Sequence, residues 1–287
     1  GPTDVCVVGS TLFIADRGND RIRAIDLTTG IIRTYASVSA PVALIANSSG
    51  TLFVSHDNQV DLVDADDLCV SNTNRQLPAL EGNYGRNKAE AMAERVRAIH
   101  PQIDVDPVAH FLTQSNLDTM LDRNFDLVLD ACDSFRTKVT SIAWCRRRKL
   151  PMVTVGSAGG RTDPTQVRVR DLSRTEHDAM LALVRKKLRG EFNFPKNADR
   201  YFGISAIYSL ENVRYPQADG TVCGVRPQVN GEAALKLDCG AGLGAATHIT
   251  GTFAFAAVGR ALGMVLKPRR PAGQQATARQ LRHLFVV

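Results

Sequence analysis

A chain of 287 residues, with 35 Lys and Arg against 29 Asp and Glu, has room for one large domain or two small ones and a formal charge of +6. Its 44% hydrophobic and 22% charged residues fit a soluble globular protein and exclude a disordered or fibrous one. The six cysteines (Cys6, Cys69, Cys132, Cys145, Cys223 and Cys239) include no CxxC pair, which argues against a structural zinc site and a disulfide scaffold.

The first residues, Gly1-Pro2-Thr3-Asp4, lack the basic and apolar regions of an export signal, so a cytoplasmic protein is expected. Residues 1–59 read as all-β. Thr11–Asp16 recurs as Thr51–His56, 40 residues later, and short alternating strands with Gly/Asn/Asp turns lie between. The segment Phe13–Arg23 resembles an NHL-type repeat of β-propellers. About one and a half such blades fall short of the four or so that close a propeller.

From Val60 the pattern changes to alternating strands and helices. Strands are predicted at Asp61–Asp64, Ile103–Val108, Phe125–Leu129, Pro151–Gly156 and Gln166–Arg170. Helices are predicted at Gly85–Ile99, with Ala89, Met92, Ala93 and Val96 on one face, at Ser134–Lys149, and at Ser173–Arg189. Ser134 is a natural N-cap and Pro151 a stop signal. This alternation predicts an α/β fold with a doubly wound, mostly parallel, Rossmann-like sheet whose ligand lies at the carboxyl ends of the strands. Ala241–Leu266 is apolar and rich in small residues, but Thr247, His248, Thr250, Thr252 and Arg260 interrupt it. A closely packed buried helix is therefore expected there, with a membrane span the less favoured reading. The predicted division is residues 1–59, 60–268 and a basic tail over 269–287.

Within the α/β segment the polar residues follow an order: acid, arginine, lysine, acid. Asp64 ends a strand, Asn72, Arg75 and Gln76 occupy a polar loop, Lys88 opens a helix, and Asp130 and Asp133 follow another strand. That set suits a nucleoside triphosphate with its metal: a carboxylate for ribose, cations for phosphates and a carboxylate for magnesium.

Leu62–Gln76, Gly85–Ala93, Asp130–Ser134 and Pro151–Gly160 resemble the ThiF-type adenylating enzymes, relatives of the ubiquitin-activating enzyme. Gly159–Gln166, Tyr215–Cys223 and Leu237–Thr247 are similar to one branch, the tRNA threonylcarbamoyladenosine dehydratases. The resemblance implies that ATP adenylates the carboxylate of the threonylcarbamoyl group on the tRNA adenosine next to the anticodon. The activated acyl group then cyclises with loss of AMP. It implies ribose binding by Asp64, phosphate binding by Arg75 and Lys88 with Asn72 and Gln76 as neutral partners, and Mg²⁺ at Asp133 with Asp130 close by. Arg75 and Asp133 are the expected catalytic residues. Each has a plainer reading: Asp64 as a turn residue, Arg75 and Lys88 as surface charges, Asp133 as a helix cap. A homodimer is implied as well, and eukaryotic members of the branch associate with mitochondria.

Other residues stay open at this level. Cys223 and Cys239 lie in family-like motifs and fit a thiol role or a structural one; Cys132 is expected to pack under the site. His248 reads as a satisfied core residue. Arg146–Lys149 and Arg185–Lys187 read as solvated helix faces or as phosphate contacts. The chain also departs from the family. No strand with a GxGGxGS-type turn precedes Asp64, although Val5–Ser10 has the look of a remnant. The upstream helix that supplies an arginine across the family's dimer is absent too. The expected sheet therefore misses its first β-α unit, replaced by a propeller-like fragment, and leaves strand edges exposed. Two other functions fit: an inactive adenylating-like module that binds tRNA or serves as a scaffold, and an adenylyltransferase for a ubiquitin-like or sulfur-carrier protein. An NAD-dependent enzyme is excluded, since no dinucleotide fingerprint is present.

Overall fold

The computed structural model describes residues 1–37, 41–46, 52–56, 59–123, 125–197, 199–217, 219, 221–224, 228–229, 232–233, 243–265 and 283–287. The N-terminal strands β1 (Pro2–Val8), β2 (Thr11–Asp16), β3 (Arg21–Asp26) and β4 (Ile32–Ser37) form an antiparallel meander in chain order. Its alternation is of period two. Phe13, Ala15, Ile22 and Ala24 are buried in a small core of their own, while Val5 and Val7 face out. A hairpin of β5 (Pro41–Ala46) and β6 (Leu52–His56) follows, and the Thr3 hydroxyl donates to the Pro41 carbonyl at 2.9 Å. Among the described residues these strands form one open meander and one hairpin. No propeller or barrel closes among them, as so few strands dictate, and the propeller-like reading gains no support.

The main sheet is built from β7 (Gln59–Val63), β8 (Asp104–Val108), β9 (Leu127–Asp130), β10 (Met152–Val155), β11 (Val167–Asp171) and β12 (Ser205–Ser209). Between them run α1 (Lys88–Ile99), α2 (Leu117–Leu121), α3 (Phe135–Arg148) and α4 (Ala179–Glu191). Two short hairpins, β13 (Tyr215–Pro216) with β14 (Val222–Cys223) and β15 (Gln228–Val229) with β16 (Glu232–Ala233), lead to α5 (Thr247–Val265). The last strand, β17 (His283–Val286), returns to the sheet.

The strand order is β11-β12-β10-β9-β17-β7-β8, parallel throughout except for the antiparallel edge strand β11. No strand from before β7 joins this sheet, but the expectation of strand edges left exposed there is corrected. β17 lies between β7 and β9, with Leu284 opposite Val60 on one side and Leu127 on the other. No gap is left, because the end of the segment read as a basic tail supplies backbone partners to both neighbours. Ser134 caps α3 as expected, but α4 starts later than its pattern suggested. Asp178 takes the N-cap, and 3₁₀ and extended residues occupy the stretch from Ser173.

Both faces of the sheet are covered. Val128, Met152, Ala206 and Tyr208 point toward α3 and α4, while their neighbours Leu127, Val153 and Ile207 point toward α5. Side chains of successive strand residues alternate across the sheet, so each strand feeds two cores. In α5 the buried stripe Ile249, Phe253, Ala257, Ala261 and Val265 runs at four-residue spacing, but Phe255, Val258 and Leu262 are exposed, so the helix packs by one face and is not buried throughout as expected. Among the described residues no helix is long and apolar enough to cross a membrane.

Candidate nucleotide-binding site

The chain steps away from β9 in one direction after β7 and in the other after β9, so the order reverses around β17. In open α/β sheets the crevice outside the carboxyl ends at such a reversal is where ligands bind. Asp64 follows β7 at this point. Its N–H donates to Val108 O at 3.2 Å, and its carboxylate accepts the Asp66 N–H at 2.9 Å.

The chain leaves and comes back to the same spot at residue 87. Asn87 donates from Nδ2 to Asp64 O at 2.9 Å and to Asp66 O at 3.2 Å, while its Oδ1 accepts the N–H groups of Ala89 and Glu90 and caps α1. Lys88 is thus fixed at the first turn of α1, where its Nζ ion-pairs with Asp66 at 2.8 Å. Burial pushes the Asp64 carboxyl above its ordinary range. The hydrogen bond from Asp66 and the charge of Lys88 oppose that rise, and the charges of Asp66 and Asp133 add to it. Asp133 belongs to the loop after β9, yet its charge is felt at Asp64. The charges of Lys88 and Asp133, from two other segments, thus both act on Asp64 at the switch point.

The polar loop 72–76 is held by its own turn and by the start of α5. Asn72 is buried, and its Oδ1 accepts the Cys69 N–H at 3.0 Å, so this amide closes the turn that presents Arg75. The Arg75 guanidinium donates to Ser71 O at 2.8 Å and to Asn74 Oδ1 at 3.0 Å. Gln76 is tied through its backbone N–H to Asn72 O at 2.9 Å. Asn74 Nδ2 donates to Ala245 O at 2.8 Å, and the Thr247 hydroxyl donates back to Asn74 O. From the same start of α5, Gly244 O accepts the Gly160 N–H at 2.9 Å, and His248 Nε2 lies 3.2 Å from Thr162 O. His248 is thus exposed at the site end of α5 and pairs with a loop carbonyl, a correction to its reading as a core residue.

Asp130 has a different position. It is 2% exposed, and its Oδ2 accepts from Lys138 Nζ at 2.8 Å and from the Thr154 hydroxyl at 2.6 Å. Its Oδ1 accepts from the Cys132 N–H at 3.2 Å and from the Cys132 thiol at 3.0 Å. Burial first, and then the negative charge of Asp130, push the Cys132 thiol far up, so it stays protonated and donates. Both oxygens of Asp130 are engaged under the loop, whereas Asp133 is exposed on top of it. A second buried network holds the loop after β10. Arg161 donates to the carbonyls of Ser157 at 2.9 Å and His177 at 2.9 Å and lies 3.9 Å from Asp178. Asp178 accepts the Ser157 N–H at 2.8 Å. Sequence reasoning gave no role to Asn87, Lys138, Arg161 or Asp178. The available signal for Lys138 was its place in the stripe Lys138, Ser141, Cys145, which is buried. Cys223 lies on β14 opposite Tyr215, and Cys239 lies outside the described residues.

An open, mostly parallel sheet with an acid at its switch point, joined through an asparagine cap to a helix that begins at a lysine, defines a nucleotide-binding α/β protein. The chain matches the ThiF family over residues 47–282. It belongs to that family. It is 45% identical over 203 residues to the tRNA threonylcarbamoyladenosine dehydratase of Escherichia coli, covering 71% of this chain and 75% of that protein. With the dehydratase of Haemophilus influenzae it shares 42% identity over 212 residues, covering 74% and 77%. Among solved structures, one named TcdA (CsdL) superposes with a TM-score of 0.64 at 43% identity, over 72% of this chain and 75% of that one. Two E. coli dehydratase structures, in complex with AMP and with ATP, superpose with TM-scores of 0.61 at 41% and 40% identity. They cover 72% of this chain and 75% and 74% of theirs.

Proposed function

We propose that this chain is an ATP-dependent dehydratase of threonylcarbamoyladenosine in tRNA. The observation that carries this reading is the switch point itself: Asp64 at the end of β7, joined through Asn87 to the start of α1, where Lys88 pairs with Asp66. The dehydratase relatives and the AMP and ATP complexes of one of them support it.

A carboxylate is a poor electrophile, and the chemistry begins by converting it to a mixed anhydride. One carboxylate oxygen of the threonylcarbamoyl group attacks the α-phosphorus of ATP and displaces pyrophosphate. A nucleophilic atom of the same group then attacks the acyl carbon, loses its proton and expels AMP. The departing oxygen leaves on AMP, so the nucleoside loses one water. In this reading Asp64 accepts the ribose hydroxyls, and Lys88 exchanges its bond to Asp66 for the phosphates. Arg75, held by Ser71 and Asn74, adds a planar donor set to the same phosphates. Asn72 and Asp130 act through the backbone: one closes the Arg75 turn, the other anchors the loop that lifts Asp133. Gln76 remains a neutral partner of the phosphates.

Among the described residues no group of three or more His, Cys, Asp or Glu is arranged to hold a metal. That fits magnesium, which binds through one or two carboxylates plus substrate phosphates. The exposed Asp133 is the carboxylate that would hold it, and when bound the ion supplies charge neutralisation at the triphosphate.

The test is incubation of the purified chain with MgATP and tRNA bearing threonylcarbamoyladenosine, with a ubiquitin-like carrier protein as the alternative acceptor. Loss of one water from the nucleoside with stoichiometric AMP is expected. AMP formed only with the carrier, or no AMP from either, would sink the proposal.

A further inference from the structure

The segment leading into β12 is encircled by arginines that neither the nucleotide site nor the sheet requires. Arg174 stacks over the Tyr201 ring at 5.1 Å, and Arg189 over Phe202 at 5.2 Å. The Arg146 guanidinium lies against Gly203, where an added Cβ would stand 3.7 Å from its Cζ. Arg170 and Arg260 line a cleft of about 690 Å³ beside Gly203 and Ser205, and Arg260 Nε donates to Ser205 Oγ at 2.8 Å. Arg200 is exposed within the segment itself.

Few carboxylates offset this charge. Asp171 is engaged by the N–H groups of Phe202, Gly203 and Ile204, and Glu176 ion-pairs with Arg170 at 3.0 Å. Between residues 145 and 205 the sequence holds 14 Lys and Arg against six Asp and Glu, an excess of eight that exceeds the +6 of the whole chain. The positive charge of this protein is therefore local. At its centre Tyr201 is 64% exposed, although its ring is already flanked by a guanidinium.

We infer that this arginine-ringed surface is a second RNA contact, separate from the nucleotide site, which grips phosphates of the tRNA and stacks an unpaired base on Tyr201. The inference rests on the tRNA reading above. Guanidinium groups suit phosphate geometry, and an exposed aromatic ring beside arginine is the platform on which single-stranded bases stack. An acidic peptide would use the arginines but would leave the exposed ring without a role. The surface sits at the amino end of the parallel strands and the nucleotide site at the carboxyl end. A strand length of about 15 Å and four strand spacings, together about 19 Å, put the two roughly 24 Å apart, which about seven base pairs of an RNA arm can span.

The experiment is binding of a tRNA transcript to the full chain, measured by fluorescence anisotropy across a KCl series. The triple variant Arg174→Ala, Arg200→Ala, Tyr201→Ala is compared with Tyr201→Phe. The triple variant is expected to bind about 10-fold more weakly at low salt, with a log–log salt slope smaller by roughly 1–2. Tyr201→Phe keeps wild-type affinity, because the stacking face remains. Stabilisation by MgATP, unchanged in every variant, verifies that the fold and the nucleotide site are intact. A triple variant with wild-type affinity and slope overturns this surface while leaving the dehydratase reading standing. Displacement of tRNA by polyglutamate as readily as by unlabelled RNA overturns it in favour of an acidic polypeptide partner. A wild-type chain with no affinity for tRNA removes both readings together.

Discussion

The floor and the rim of the candidate site are made from the same residue types and differ in what water reaches. On the floor, Lys138 is fully buried and holds Asp130, with Thr154 and Cys132 filling the remaining acceptor positions. On the rim, Lys88 pairs with a half-exposed Asp66, and Asp64 and Asp133 lie within reach of each other's charge. A buried carboxylate with every acceptor filled cannot readily exchange partners, because any exchange would strand a charge in a low-dielectric interior. A rim carboxylate can exchange its partners for a ligand at small cost, since water screens the intermediate state. Two aspartates only three positions apart, Asp130 and Asp133, thus take opposite roles.

The strongest way to break this comparison is to remove the floor's cation. Lys138→Met leaves Asp130 buried without a counter-charge and is expected to lower stability by about 3–5 kcal/mol, read from the urea midpoint. Adding Asp130→Asn to it removes the orphaned charge and should recover much of the loss. A single variant within about 1 kcal/mol of wild type would show that the floor is not a coupled pair.

On the rim the corresponding change acts on ligand binding and leaves the fold alone. MgATP at about a hundred times its Kd should stabilise the wild-type chain by roughly 2.7 kcal/mol, seen as a thermal shift. Arg75→Ala should abolish that shift while moving the unliganded stability by no more than about 0.5 kcal/mol. A full shift in the variant would remove Arg75 from the phosphate site. A large loss of unliganded stability would make it part of the floor.

The sequence made the rim legible and concealed the floor. Asp64, Arg75, Lys88 and Asp133 are polar residues at the ends of predicted strands and helices, where periodicity breaks and chemistry stands out. Lys138 sits in mid-helix beside Val139 and Ile142, where a lysine reads as a solvated face until tertiary packing puts that face against the sheet. Asp130 shares a motif with Asp133, and no local pattern tells which of the two points inward. The alternation of strands and helices gave the doubly wound sheet, but β12 passed unnoticed because all of Ser205–Ser209 is buried and shows no period-two pattern. The central strand was hidden for another reason. Leu284-Phe285-Val286-Val287 is an apolar run fit for a buried strand, yet β17 pairs with β7 more than two hundred positions away in sequence, which no local rule can link. In the N-terminal segment the strands were readable from their turns and their period-two alternation.

The smallest expected effect sharpens the comparison most, because it has the opposite sign. Asp64 stands between floor and rim: half-buried, with its carboxyl raised above the ordinary value chiefly by burial. A carboxyl whose folded pKa is raised contributes stability that is fully present below its unfolded pKa, near 4, and is lost as pH rises through the folded value. At neutral pH the ionised Asp64 is therefore a burden on the empty protein, tolerated at a site that needs an acceptor. Asp64→Asn keeps the size and the acceptor oxygen toward Asp66 and removes the charge. The unliganded variant should be more stable than wild type at pH 7, by less than about 1 kcal/mol because the group is partly solvated. Its advantage should shrink as pH falls toward 4, while its gain in stability from MgATP falls well below that of wild type. Urea midpoints at pH 7 and pH 5, with and without nucleotide, decide the matter. A variant less stable than wild type at pH 7 without nucleotide would place Asp64 with Asp130 on the floor, as a carboxylate that holds the fold together.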